Sequence, residues 1–133
     1  MFIRFFSGEI QEDSRVSEGL FWAAYRLLEE TRLPDYEHEA LRELMNWFDK
    51  HLASPYDYRL RPADLAERSL CWFRASAQEH LQRAWEIVTI LQNHDIYVWT
   101  IKLAEPGYVI YEDEVQVLAF PYDDLRRRLK RRQ

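Results

Sequence analysis

The hydrophobic pattern of the first 52 residues predicts one short strand and two amphipathic helices. Residues 2–6 read Phe-Ile-Arg-Phe-Phe, an aromatic-rich run with the length of a strand. Apolar residues then recur at helical spacing over 16–31 and again over 35–52, and Pro34 separates the two runs. Acidic residues near the start of the second run and basic residues at its end match the helix dipole. We therefore predict a strand followed by an antiparallel helical hairpin.

The second half of the chain shows the pattern of a strand, a helix and another strand. Residues 70–74 form a compact apolar run, and Ser76 and Glu79 have the spacing of a capping box. The helix predicted over 76–93 leads into residues 95–103, which are apolar on both faces and typical of a central strand. Such a unit is usually a right-handed crossover between two parallel strands.

Two further strands, 108–111 and 115–120, are joined by an acidic turn and predict an antiparallel hairpin. The chain has no internal repeat and no linker, so we predict one domain over 1–133 with a basic helix or tail from about 122. The predicted fold class is α+β. Its sheet is mixed and has four or five strands, it contains the βαβ unit over about 70–103, and its helices lie mainly on one face.

Composition excludes several classes of site. Cys71 is the single cysteine, which excludes an intrachain disulfide and the usual thiolate zinc sites. Gly8, Gly19 and Gly107 lie too far apart for the common phosphate-binding loops. No two of the four histidines are four residues apart, so we predict no metal and no cofactor. We predict no catalytic residue either, because a cysteine in an apolar strand is usually an inert core residue.

Nothing in the sequence predicts a membrane segment. No apolar run approaches the roughly 20 residues that a membrane-spanning helix needs. The first six residues are too short and wrongly charged for a signal peptide. We therefore expect a cytoplasmic protein of bacterial type.

The charge of the chain is asymmetric. The formal net charge is −5, yet six of the seven residues over 126–132 are basic, so the rest of the chain carries −11. One interpretation is a handle for a polyanion. The other is a short helix that Asp123 and Asp124 begin and basic residues end, as the helix dipole prefers. The acidic body argues against broad nucleic-acid binding because it repels phosphates.

The junction between the predicted strand 70–74 and the helix 76–93 is the best candidate for an anion site. Ligands of open α/β sheets bind at the carboxyl ends of strands, and the N–H groups at a helix start favour anions. The candidate anion-binding residues are Arg74, Ser76 and His80, together with Arg59 and Arg61 from the irregular stretch 53–62. The structural alternative is that Ser76 and Glu79 satisfy the helix start while Arg74 pairs with a surface carboxylate.

Aromatic side chains are the second unusual feature. The chain has five Trp, eight Tyr and seven Phe, which are too many rings for one small core. Partly exposed Trp and Tyr are favoured at interaction surfaces, and we select Trp72, Tyr56 and Tyr58 as candidates.

These observations favour a small, non-enzymatic module for protein interaction or regulation, whose partner is another protein or a second copy of the chain. The alternative is a small ligand-binding protein or an enzyme that acts on a phosphorylated or nucleotide-like anion at the 70–74/76–93 junction. A lesser alternative is weak, salt-sensitive nucleic-acid binding through the basic C-terminus. The sequence leaves open whether the chain is an enzyme.

Overall fold

The first strand is the centre of the fold. The computed structural model describes residues 1–7, 18–30, 33–53 and 69–122. Its elements, in chain order, are β1 (Phe2–Ser7), β2 (Glu18–Gly19), α1 (Leu20–Glu29), α2 (Asp35–His51), β3 (Leu70–Arg74), α3 (Gln78–Asn93), β4 (Val98–Leu103), β5 (Tyr108–Glu112) and β6 (Gln116–Phe120). One edge of β1 pairs with β4 along its whole length, and the other edge pairs with β3 and then with β2.

The strand pairings of the described residues are all antiparallel. The strand order is β4-β1-β3-β6-β5, and β2 lies on the same edge of β1 as β3. Because β3 and β4 are both antiparallel to β1, they run in the same direction, as the predicted βαβ unit requires. The α+β class and the single small domain are confirmed. The described sheet is not mixed, however, because β1 is inserted between the two strands expected to be parallel neighbours.

The three described helices pack on one face of the sheet and form the larger part of the core. β1 contributes Ile3 and Phe5 to this layer, and β3 contributes Phe73. Each helix presents an apolar stripe to these side chains at spacings of three and four residues. The buried stripes are Leu20, Ala23, Ala24 and Leu27 in α1, Leu41, Met45 and Phe48 in α2, and Ala84, Ile87, Val88 and Leu91 in α3.

The opposite face of the sheet carries its own apolar cluster. Successive side chains of a strand point to opposite faces, so Phe6 points away from Phe5. The Phe6 ring packs against Trp72 and Trp99, with ring centroids 6.2 and 5.7 Å apart. Both Phe6 and Trp72 are fully buried. β1 is therefore buried on both faces and paired at both edges.

The start of α1 differs from the prediction for a structural reason. The helix begins at Leu20 rather than at residue 16, because residues 18 and 19 are extended and pair with Ser7 and Phe6 of β1. An extended residue that pairs in a sheet does not have helical backbone angles. The next helix, α2, matches its predicted range to within one residue.

The predicted capping box at the start of α3 does not form. The N-cap is Ala77, and it makes no side-chain cap hydrogen bond. Ser76 accepts a hydrogen bond from the Gln78 backbone N–H through its carbonyl oxygen, at 2.9 Å. Glu79 instead forms an ion pair with Arg83 one turn later, at 2.9 Å. The helix begins two residues later than predicted because buried Ala77 takes the cap position.

Candidate functional site

Arg74, the principal residue of the predicted anion site, is engaged by the β5–β6 hairpin. Its Nε donates a hydrogen bond to the carbonyl oxygen of Asp113 at 2.7 Å, and its Nη2 lies 3.1 Å from Glu112 Oε2. Its guanidinium carbon lies 5.6 Å from the centre of the Phe2 ring. The structural alternative, in which Arg74 pairs with a surface carboxylate, is the arrangement observed.

Ser76 and His80 do not join Arg74 in one site. Ser76 is exposed in the turn before α3. The His80 Nε2 lies 2.8 Å from the carbonyl oxygen of His51, at the end of α2, and its ring packs against Trp47 at 4.8 Å. Arg74 therefore contacts the hairpin while His80 contacts α2. The remaining members of the predicted anion site, Arg59 and Arg61, lie outside the described residues.

Trp72 is not part of an interaction surface. Its side chain is 1% exposed in the cluster on the sheet face opposite the helices, so the interpretation of Trp72 as a contact residue is wrong. In a half-buried strand, every second side chain points to solvent. The Trp72 side chain does not, because both faces of β3 are covered. Tyr56, Tyr58 and the basic run 126–132 lie outside the described residues.

A cavity of about 380 Å³ opens between α1, α2 and the sheet. It lies at an interruption in the pairing of β1, where β3 is opposite Phe2 and Ile3 and β2 is opposite Phe6 and Ser7. The two residues between these pairs, Arg4 and Phe5, line the cavity. Its volume is within the range of small-molecule sites, roughly 300–1,000 Å³.

Most of the cavity wall is apolar. The two helices and the residue that follows α2 supply aromatic and aliphatic side chains to it, namely Leu20, Phe21, Trp22, Met45, Phe48 and Leu52. A wall of this kind binds the apolar body of a ligand because it removes that surface from water.

Arg4 supplies a positive charge to this apolar wall. Its Nη1 donates a hydrogen bond to the carbonyl oxygen of Cys71 at 3.0 Å, and its guanidinium carbon lies 5.0 Å from the centre of the Phe6 ring. Its Nε is buried and has no hydrogen-bond partner among the described residues. Gly19 leaves room for the guanidinium, since a Cβ there would lie 3.1 Å from Arg4 Nη2.

Asp49 and Tyr25 also line the cavity, from α2 and α1 respectively. Burial and the negative charge of Asp49 raise the pKa of Tyr25 above its ordinary value. Tyr25 is 48% exposed, which places this pair on the solvent side of the cavity.

Gln116 ties the sheet to the chain that follows α2. It is fully buried, and its Nε2 donates a hydrogen bond to the Ala53 carbonyl oxygen at 2.8 Å. Both Gln116 and Ala53 line the cavity. The hydrogen bond therefore fixes the position of one part of the cavity wall.

Neither Arg4 nor Gln116 is among the site residues predicted from the sequence, although each carries a visible signal. Arg4 is the one charged residue in an aromatic strand, and Gln116 is the one polar residue in the apolar run 115–120. A polar residue at a position that a strand buries needs a partner or a ligand. That rule identifies both positions without a structure.

Two further observations concern only the described residues. None of their helices is long and apolar enough to cross a membrane. No three of their His, Cys, Asp and Glu side chains come together as a set that could hold a metal ion.

Comparison with models of protein families, with curated proteins and with solved structures found no match to this chain.

Proposed function

We propose that this chain is a small cytoplasmic binding protein whose cavity takes a molecule with an apolar body and an anionic group. The Arg4 guanidinium at the cavity wall is the observation that carries this proposal. It replaces the 70–74/76–93 junction as the proposed anion site, because Arg74 is already bonded to Glu112 and Asp113.

The chemistry of Arg4 favours an anion as its ligand. Arg4 is half-buried at the cavity wall, and its guanidinium has further N–H donors besides the one bonded to Cys71, so an anionic oxygen in the cavity can accept a hydrogen bond from it. Hydrogen bonds from a guanidinium to a carboxylate or phosphate are stronger than those between neutral groups. The apolar wall strengthens the attraction because it lowers the local dielectric constant.

The apolar helices determine the rest of the ligand. Aromatic side chains such as Phe21 and Phe48 form edge-to-face pairs, and their ring centroids lie 4.9 Å apart here. A ligand that carries an aromatic ring adds to such a cluster. An aromatic carboxylate or phosphate therefore suits the wall and Arg4 together.

Protein interaction is a second proposed function, favoured by a separate observation. Trp22 and Tyr25 on α1 are 42% and 48% exposed, although both are large rings next to the cavity. Exposed Trp and Tyr are enriched where proteins meet. The proposed partner is another protein or a second copy of the chain.

Titration with 3-phenylpropionate and phenyl phosphate, followed by calorimetry, tests the ligand-binding function. We expect saturable binding of at least one of these anions to the wild-type protein. Arg4→Gln should weaken it about 10- to 100-fold, because a hydrogen bond to a charged group contributes about 1.5–3 kcal/mol. Leu52→Trp, which fills the cavity from the residue after α2 and leaves Arg4 in place, should also abolish binding.

The control variant is Arg42→Gln, which removes an exposed guanidinium from α2 that pairs with Glu39. Its affinity for both anions should equal that of the wild type, and circular dichroism should show that every variant is folded. Absence of binding, or equal binding by wild type and Arg4→Gln, rejects the ligand-binding function. In that case, self-association in sedimentation velocity that Trp22→Glu abolishes would leave protein interaction as the function.

A further inference from the structure

Two opposite charges line the same cavity from different elements. Arg4 comes from the sheet, and Asp49 comes from α2. The other side chains of the cavity wall include Phe5, Met45 and Phe48, which are all buried and apolar. A ligand that fills the cavity therefore meets a cation, an apolar wall and an anion.

The Asp49 carboxylate is exposed at the edge of the cavity, where Tyr25 of the neighbouring helix also lines the wall. Its oxygens are acceptors for a donor group of a ligand. A carboxylate in this position attracts a cationic donor and repels a second negative charge. The Asp49 carboxylate therefore discriminates between ligands that Arg4 alone would bind with equal affinity.

We propose that the ligand is zwitterionic, namely an amino acid or a related molecule with an aromatic or aliphatic body. Its carboxylate meets Arg4 and its ammonium group meets Asp49. This inference rests on the proposed ligand-binding function and adds the second charge to it. It also predicts that a dianion such as phenyl phosphate binds more weakly than a monoanionic carboxylate of the same size.

Three compounds that differ by one group each provide the test. L-phenylalanine carries both charges, 3-phenylpropionate lacks the ammonium group, and 2-phenylethylamine lacks the carboxylate. We expect the wild-type protein to bind L-phenylalanine at least about tenfold more tightly than 3-phenylpropionate, since an added charge-assisted hydrogen bond contributes that much. We expect 2-phenylethylamine to bind more weakly than L-phenylalanine because it offers nothing to Arg4.

Asp49→Asn separates the role of the second charge from that of the cavity. The variant should bind L-phenylalanine and 3-phenylpropionate with nearly equal affinity, while the affinity for 3-phenylpropionate stays the same or rises. Glu43→Gln is the matched control, because it removes one exposed carboxylate from the same helix outside the cavity. It should keep the wild-type preference for L-phenylalanine.

The possible failures are distinguishable. If 3-phenylpropionate binds in an Arg4-dependent way but L-phenylalanine binds no better, the zwitterion inference is wrong and the proposed function stands. The same conclusion follows if Asp49→Asn keeps the preference for L-phenylalanine. If none of the three compounds binds and phenyl phosphate also fails to bind, the proposed function and the inference are both rejected.

Discussion

Asp113 closes the turn between β5 and β6 with both of its carboxylate oxygens. Oδ1 accepts hydrogen bonds from the backbone N–H groups of Val115 and Gln116, each at 2.9 Å. Oδ2 accepts one from the Tyr111 hydroxyl at 2.8 Å and one from the Gln116 side chain at 3.3 Å. Burial by itself raises the pKa of Asp113, but these hydrogen bonds outweigh it and the pKa lies below its ordinary value. Asp113 therefore stabilises the turn in its ionised form.

Replacing Asp113 by Asn should lower stability in a pH-dependent way. A carboxylate whose folded-state pKa is lowered stabilises the fold above its unfolded-state pKa, about 3.9, and loses this effect as pH falls through the folded-state value. We expect Asp113→Asn to lower the free energy of unfolding by about 1–3 kcal/mol at neutral pH. The difference from wild type should shrink as the pH falls from neutral to below about 4.

Urea unfolding of both proteins across this pH range measures the effect. Glu114→Gln is the control, since it removes the neighbouring exposed carboxylate of the same turn and should leave stability nearly unchanged. A loss for Asp113→Asn that stays the same size in acid would contradict the assignment to the ionised carboxylate.

At the scale of single residues, the sequence indicated the kind of partner but not its identity. Pairing of Arg74 with a surface carboxylate was one of the alternatives, yet the partner, Glu112, lies 38 residues along the chain. Arg4 is visible as a charged residue in an aromatic strand, but its neighbours Cys71 and Gly19 are distant along the chain and were not predictable. Trp72 was misplaced for a related reason, since burial on the second sheet face depends on packing between distant strands.

At the scale of elements, helix α3 ends in a defined motif. Asp95 has a positive φ of 64° and its N–H donates a hydrogen bond to the Gln92 carbonyl oxygen at 3.1 Å. The N–H of Ile96 donates to the Leu91 carbonyl oxygen at 3.0 Å, and Ile96 packs against the core. This pair of hydrogen bonds is a Schellman motif, in which glycine is usually preferred at the position that Asp95 holds.

We predict that Asp95→Gly stabilises the protein by about 0.5–1 kcal/mol. Glycine removes the steric cost of the left-handed conformation, and the change also removes a negative charge from the negative end of the helix dipole. Thermal unfolding measures the gain. Asp95→Asn separates the two causes, because it removes the charge and keeps a Cβ, so it should give the smaller gain. Equal stability of the Gly and Asn variants would show that the backbone conformation is not strained.

Elements with strong periodicity were predicted well, and their mutual arrangement was not. The strand β3, the helix α2 and the C-terminal hairpin all lie within one or two residues of their predicted positions. The pattern of hydrophobic and polar residues along a strand indicates which of its faces are buried, but not which strand pairs with it. The insertion of β1 between β3 and β4 therefore left no trace in the sequence, and neither did the cavity that this insertion creates beside Arg4.

At the scale of the whole molecule, β1 belongs to two apolar layers at once. Phe5 lies in the layer with the helices, where its ring is 5.1 Å from Trp85. Phe6 lies in the layer on the other face with Trp72. Because one strand supplies both layers and pairs with β2, β3 and β4, neither layer keeps its packing if β1 leaves the sheet. We infer that the described layers unfold together.

If the described layers unfold together, the protein should unfold in one cooperative transition. This should hold even after a substitution on the sheet face that carries none of the described helices. Phe6→Leu should lower stability by about 1–3 kcal/mol because it leaves unfilled space in a fully buried position. Its far-ultraviolet circular dichroism, which reports the helices, and its tryptophan fluorescence should keep coincident midpoints. Phe5→Leu, the matched change in the helix layer, should also shift both signals together. If Phe6→Leu moved the fluorescence midpoint and left the helical signal at its wild-type position, the two layers would be separate folding units joined only by the backbone of β1.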